Sequence, residues 1–279
     1  MSLADEHRKE FHTALLAGVL TVDDSGVPNI ADKGSKASKA IAQKLIEKLG
    51  RARVSVKAAG QTSGADFETV CSDYVKRAFG ALSHLRPGDF VIEKGRTISA
   101  FDQYQHLNEI EKIAKASREI STAIGSDYLI SPDVLIWKKP VSDAQINASA
   151  DTVGHGVASH TPFREASGAN PTLHASISCK WTLRSDRAQN ARSEGLNLVR
   201  NRKGKLPHVV IITAEPTPNR IASLALGTGD IDCVYHIALP ELQETLAELE
   251  NETASEMLAM MVEGRRVRDI ADLPFDLII

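Results

Sequence analysis

Leu173-His174-Ala175-Ser176-Ile177-Ser178-Cys179-Lys180-Trp181 reads as a strand, and the run from about Ser185 to Arg200 that follows it reads as a helix. Working outward, Asp133-Val134-Leu135-Ile136-Trp137 is a short buried strand behind Pro132, and Phe90-Val91-Ile92 another. Downstream, Val209-Val210-Ile211-Ile212 and Cys233-Val234-Tyr235-His236-Ile237 are further strands. Helical patterns lie between and around them. Asp5 to Leu20 spaces Phe11, Leu15, Leu16 and Leu20 on one face, and a second helix spans about Lys39 to Leu49. Ser63 and Asp66 form a capping-box pattern ahead of Phe67, Val70, Tyr74, Ala78 and Leu82. Two long helices are expected from His106 to Ile124 and from Pro240 to about Val262. The stretch from Ser142 to Asn170 is irregular and rich in Gly, Ser, Asn and His. With no repeat and no linker, this alternation argues for a single α/β domain over residues 1–279 around a mostly buried central sheet.

The chain has 279 residues, enough for one substantial core, with 42% hydrophobic and 25% charged residues. Its N-terminus is charged and leads into no apolar h-region, so no secretory signal is expected. No apolar run approaches the roughly 18–20 residues a membrane span requires. Cys71, Cys179 and Cys233 are widely spaced, which fits reduced thiols in a cytosol better than a disulfide framework or a zinc site. The net charge of −3 hides a strong asymmetry. Eight Lys or Arg residues lie between Lys180 and Lys205 against Asp186 and Glu194 alone, whereas eleven acids face three bases from Ile231 onward. Such a basic stretch is what a phosphate-lined groove requires, although a solvated helix face would look the same. The Asp32-Lys33-Gly34-Ser35-Lys36 loop lacks the first glycine of a phosphate loop and follows no strand.

Hydrolysis of a phosphodiester needs an activated water, neutralised phosphate charge and a stabilised leaving oxygen, which one or two Mg²⁺ ions on carboxylates supply. Asp133 opens one strand, and Lys180 sits on a strand that could pair beside it. The common nuclease pattern is Pro-Asp, then an acid, any residue and lysine. Here Ser178 stands at the acid position, and Glu194, on the following helix, can supply the missing carboxylate. Taken singly, Asp133 reads as a strand-capping residue and Glu68 as a helix-surface acid.

Pro132-Asp133, then Lys180 after forty-six residues and Glu194 after thirteen more, resembles the active site of the CCGG-cutting family of type II restriction endonucleases. Leu173–Trp181, Arg184–Leu196, Gly60–Gly64, Gly125–Tyr128, Thr213–Pro218 and Leu226–Gly229 are also similar to a member of that family, so the resemblance spans nearly the whole chain. It implies a restriction-endonuclease-like, PD-(D/E)xK core: a central mixed β-sheet flanked by helices. It further implies that Asp133 and the Cys179 carbonyl bind Mg²⁺, two ions per active site. Lys180 would orient the attacking water, and Glu194 and Glu68 would hold waters on the metals.

Arg184-Ser185-Asp186-Arg187 begins the helix after the lysine. Arginine forks match guanine O6 and N7, and a carboxylate accepts from the cytosine N4 amine. A weak intrahelical Arg–Asp pair is the bland alternative. The resemblance implies that Arg184, Asp186 and Arg187 read a central CCGG and that Gln61 and Asp32 read the outer G·C pairs, although Lys33 and Lys36 are additions beside Asp32. The implied activity is cleavage of double-stranded DNA at GCCGGC after the first G, leaving 5′-CCGG overhangs and 5′-phosphates. A homotetramer built as a dimer of dimers, a methyltransferase protecting the host, and a bacterial cytoplasm follow from the same resemblance. The competing expectations are a CCGG-core nuclease with other outer-base specificity, a structure-specific repair nuclease, a DNA-binding regulator without chemistry, and a small-molecule α/β enzyme. His155 and His160 read as surface or DNA-contacting residues rather than metal ligands, His174 as a hydrogen-bonded core residue, and Leu242, Leu246, Leu249, Met257 and Met260 as core or interface.

Overall fold

In chain order the elements are α1 (Leu3–Gly18), β1 (Thr21–Val22), α2 (Lys36–Leu49), β2 (Arg53–Val54), α3 (Gly60–Gly80), β3 (Phe90–Glu93), α4 (Leu107–Ala116), α5 (Arg118–Ile124), β4 (Val134–Lys138) and α6 (Asp143–Ile146). They continue as β5 (Thr172–Lys180), α7 (Ser185–Asn201), β6 (His208–Thr213), α8 (Pro218–Ala225), β7 (Cys233–His236), α9 (Leu239–Glu248), α10 (Glu252–Glu263), β8 (Val267–Asp269) and α11 (Leu273–Asp276). These come from a computed structural model that describes residues 1–50, 53–54, 60–124, 129–227 and 229–279.

The strand order is β3-β4-β5-β6-β7-β8. Strands β3 and β4 run antiparallel, with Phe90 opposite Lys138 and Glu93 opposite Leu135. Strands β6, β7 and β8 are parallel, with Val210 opposite Cys233 and Val234 opposite Val267. The sheet is therefore mixed, as the family resemblance implies. Strands buried on both faces read as unbroken apolar runs, which is how Val134–Trp137, Val209–Ile212 and Cys233–Tyr235 appear in the sequence and how they lie, all buried.

The chain forms two compact units, one from Met1–Arg86, Ile177–Arg192 and Val209–Ile279, the other from Pro87–Ser176 and Ser193–His208. In the first, α1 packs on α3 and α2 on α9, with α10 against α8 and α9. Phe11 meets Tyr74 at 4.9 Å between ring centroids, and the Tyr74 hydroxyl donates to the Ile270 carbonyl at 3.0 Å. The Arg8 guanidinium forks onto Glu241 and Asp269 at 2.6–2.9 Å, tying α1 to α9 and β8. In the second unit, the buried Gln103 amide exchanges two bonds with the Leu173 backbone, at 2.7 and 2.9 Å, and so fastens the start of β5. Tyr104 donates to Leu198 at 3.0 Å, fixing the C-terminal half of α7. His174 is buried, as expected, with its ring against Phe90 and His208.

Several expectations shift. The helix from His106 to Ile124 is two helices, because Ser117 takes an extended conformation and its hydroxyl accepts from Ile120 N at 3.4 Å, opening α5. The helix from Pro240 to Val262 is also two: Glu250 turns left-handed (φ 50°) and Asn251 caps α10 by accepting from Ala254 N at 3.2 Å. Leu242 and Leu246 are core, whereas Met260 is exposed. Helix α3 begins at Gly60, so Ser63 lies inside its first turn rather than ahead of it. The Ser142–Asn170 segment contains the short α6 and is held by buried Arg164. That guanidinium bonds the Asp143 carboxylate at 2.5 and 2.6 Å and the Gly154 and Val157 carbonyls. His155 and His160 on it are exposed. The paired β1 and β2 and the elements α8, β8 and α11 add to the elements expected from the sequence. The Gly125–Tyr128 block and Thr228 lie outside the described residues. Cys71, Cys179 and Cys233 are buried thiols outside any disulfide. Among the described residues no helix is long and apolar enough to cross a membrane.

Candidate active site and DNA-reading cleft

Pro132 is buried and fixes the entry to β4, leaving Asp133 half-buried immediately before the strand. Strand β5 is the neighbour of β4 in the sheet and ends on Ser178, Cys179 and Lys180. Ser178 and Cys179 are buried and Lys180 is half-buried. A carboxylate at position 178 would be charged in a buried place, where a small hydroxyl costs far less. Glu194 lies in the middle of α7, half-buried beside the buried face formed by Ala191, Gly195 and Leu198. Glu68 is half-buried on α3. Its neighbour Phe67 is fully buried and packs edge-on against Trp181 at 4.9 Å, which ties the turn carrying Glu68 to the residue that follows Lys180. Glu68 and Ser178–Lys180 belong to the first unit, Asp133 and Glu194 to the second.

Among the described residues no three His, Cys, Asp or Glu side chains converge as metal ligands. A Mg²⁺ site needs no such cluster. It takes one or two carboxylates and completes an octahedron with water and substrate phosphate oxygens. An aspartate carboxylate and backbone carbonyls are hard oxygen donors, so the residue types present fit the ion.

The recognition candidates are gathered within the first unit. A cleft of about 770 Å³ is lined by Asp32, Lys33, Arg184, Gln189, Arg192 and Arg220, among others. Arg184 and Asp186 are exposed at the start of α7, and Arg187 donates to the Thr182 hydroxyl at 3.1 Å. Asp32 accepts from Gly34 N at 3.0 Å and from the Arg220 guanidinium. These two bonds, with the nearby Arg184 charge, hold its carboxyl below the ordinary carboxylate range, so it is an anion and an acceptor at neutral pH. Arg192 donates to the Ser223 carbonyl, joining α7 to α8. The side chain of Gln61 lies outside the described residues.

Arg220 was missed in the sequence. The available signal was Thr217-Pro218, a helix start with proline in its first turn, two residues before the arginine. Behind it sits Glu215, fully buried. One carboxylate oxygen accepts from Leu183 N at 2.8 Å. The other accepts from Thr217 N at 3.2 Å and from the Thr217 hydroxyl, while the Arg220 guanidinium lies 3.8 Å from the first. Burial pushes this carboxyl above the ordinary range, and the bonds it accepts pull partly back.

The family model described as the NgoMIV restriction enzyme matches residues 11–279. The type II restriction enzyme NgoMIV of Neisseria gonorrhoeae is 48% identical over 281 residues, covering 99% of this chain and 98% of the relative. The chain belongs to the NgoMIV restriction-enzyme family and is a type II restriction endonuclease.

Proposed function

We propose that the enzyme cuts double-stranded DNA at the palindrome GCCGGC after the first G, leaving 5′-CCGG overhangs and 5′-phosphates. The observation that carries this reading is the cleft in which Arg184, Arg220 and the Asp32 carboxylate stand together. Guanidinium donors and a carboxylate acceptor are the side chains that select G·C pairs in a major groove. In this reading Arg184, Asp186 and Arg187 read the central CCGG, and Asp32, Gln61 and Arg220 read the outer pairs. Asp133 and the Cys179 carbonyl would hold Mg²⁺, two ions per site. The bound ions supply charge neutralisation at the scissile phosphate. Lys180 orients the attacking water through its ammonium, and Glu194 and Glu68 accept hydrogen bonds from surrounding water. Ser178 leaves the usual acid position uncharged, which makes Glu194 its functional replacement.

A palindrome calls for a two-fold symmetric enzyme. The chain is proposed to act as a single nuclease domain in a dimer of dimers, in the cytoplasm of a bacterium whose methyltransferase protects the same site. Sequencing the ends of plasmid DNA digested with Mg²⁺ tests the specificity. Discrete fragments beginning 5′-CCGGC are expected, whereas a smear or branch-selective nicking would rule the reading out. Faster cutting of two-site than one-site plasmids, with rescue of the latter by a site-bearing oligonucleotide, is expected of the tetramer.

A further inference from the structure

We propose that Glu215 is a positioning residue for sequence readout, holding the chain before Arg184 and the start of α8 at fixed separation so that Arg184 and Arg220 meet one DNA register. Glu215 touches no solvent and so cannot meet DNA itself. Its two oxygens face different elements. One takes the Leu183 amide, one residue before Arg184; the other takes the Thr217 amide and hydroxyl at the first turn of α8, three residues before Arg220. Thr217 is the N-cap of α8, yet its hydroxyl makes no capping bond, being directed at Glu215 instead. Pro216 and Pro218 flank it, each lacking an N–H and each with a fixed φ, so the carboxylate works on a stiff connection. The Glu215 backbone N–H donates in turn to the Thr213 hydroxyl at 3.2 Å, which anchors the residue to the end of β6.

The carboxylate matters because every group it bonds is a donor. Glutamine offers one acceptor oxygen and one NH₂. In Glu215→Gln either Leu183 or Thr217 therefore faces a donor with a donor, and one of the two junctions lets go. A buried amide left without an acceptor is costly enough to move the backbone, and displacement of an arginine fork by a fraction of its bond length forfeits much of its base discrimination.

The inference rests on Arg184 and Arg220 being base readers, and the test separates the two. The wild-type recognition sequence is first fixed by end sequencing. Binding in Ca²⁺ and cleavage in Mg²⁺ are then measured on that duplex, on each single-base-pair variant, and on an unrelated duplex, for wild type, Glu215→Gln, Thr217→Val, Arg184→Ala and Arg220→Ala. Glu215→Gln is expected to lose about tenfold or more in its preference for the site while binding unrelated DNA as wild type does. Unchanged preference in a folded Glu215→Gln protein overturns the proposal, as does an equal loss on site and unrelated DNA, which a merely structural role would give. If Glu215→Gln does not fold, Thr217→Val decides: it removes one donor and keeps the shape, and preserved preference overturns the proposal. Arg184→Ala and Arg220→Ala variants that keep full preference would instead remove the reading on which it stands.

Discussion

Ser178 is buried where the common nuclease pattern calls for an acid, and Asp133 and Glu194, both half-buried, flank it in the sequence as the carboxylates proposed for the chemistry. Their proposed roles differ in what their loss should do. Asp133→Ala removes the one direct side-chain ligand, so cleavage should fall below detection while binding of the cognate duplex in Ca²⁺ persists; strong residual cutting would refute the ligand role. Glu194→Ala should slow single-turnover cleavage by at least about a hundredfold, the scale of losing a group that orients reacting water, with binding little changed. The residue types and their spacing were legible from the sequence because chemistry restricts them to a few kinds. Arg220 and Glu215 were not, because the first is defined by a partner 188 positions away and the second by burial.

The short breaks at Ser117 and at Glu250–Asn251 follow a common rule. Apolar periodicity runs on through both, and a side-chain cap decides where the helix stops. Strands with unbroken apolar runs were read correctly; the two- and three-residue strands β1, β2 and β8 carry too few side chains to show a pattern. The irregular Ser142–Asn170 segment has its own fastening in Arg164, whose partners span Asp143 to Val157. Arg164→Ala leaves two carbonyls and a carboxylate without their donor and so loosens the segment locally. Limited proteolysis should then cut faster between residues 147 and 161, and a digestion rate equal to that of wild type would mean that the segment is held by other contacts.

At the scale of the molecule, stability should carry the mark of buried imidazoles. Burial pushes His236 down to about 4, against the raising influence of Asp269 and Glu241, and lowers His12 as well. Its folded value lies below the ordinary 6.5, so between those values the unfolded chain binds more protons. Stability therefore falls as the pH drops from about 6.5 towards 4, by at most about 1.4 kcal/mol per pH unit for that group. Urea unfolding at pH 7.5, 6 and 5 should show this slope. In His236→Asn, which keeps an acceptor for Ala238 N, the slope should flatten; an unchanged slope would assign it elsewhere.

The three buried thiols give the fold a built-in clock. A sulfhydryl reagent such as iodoacetamide reacts with thiolate that reaches solvent, and burial raises Cys233 to about 12, so the native protein should take up label only through opening. Each cysteine reports a different place: Cys71 on α3, Cys179 at the lysine end of β5 and Cys233 at the start of β7. Alkylation followed residue by residue would thus time the opening of the strand that carries Lys180 separately from unfolding of the parallel strands, with the native enzyme and no engineered probe.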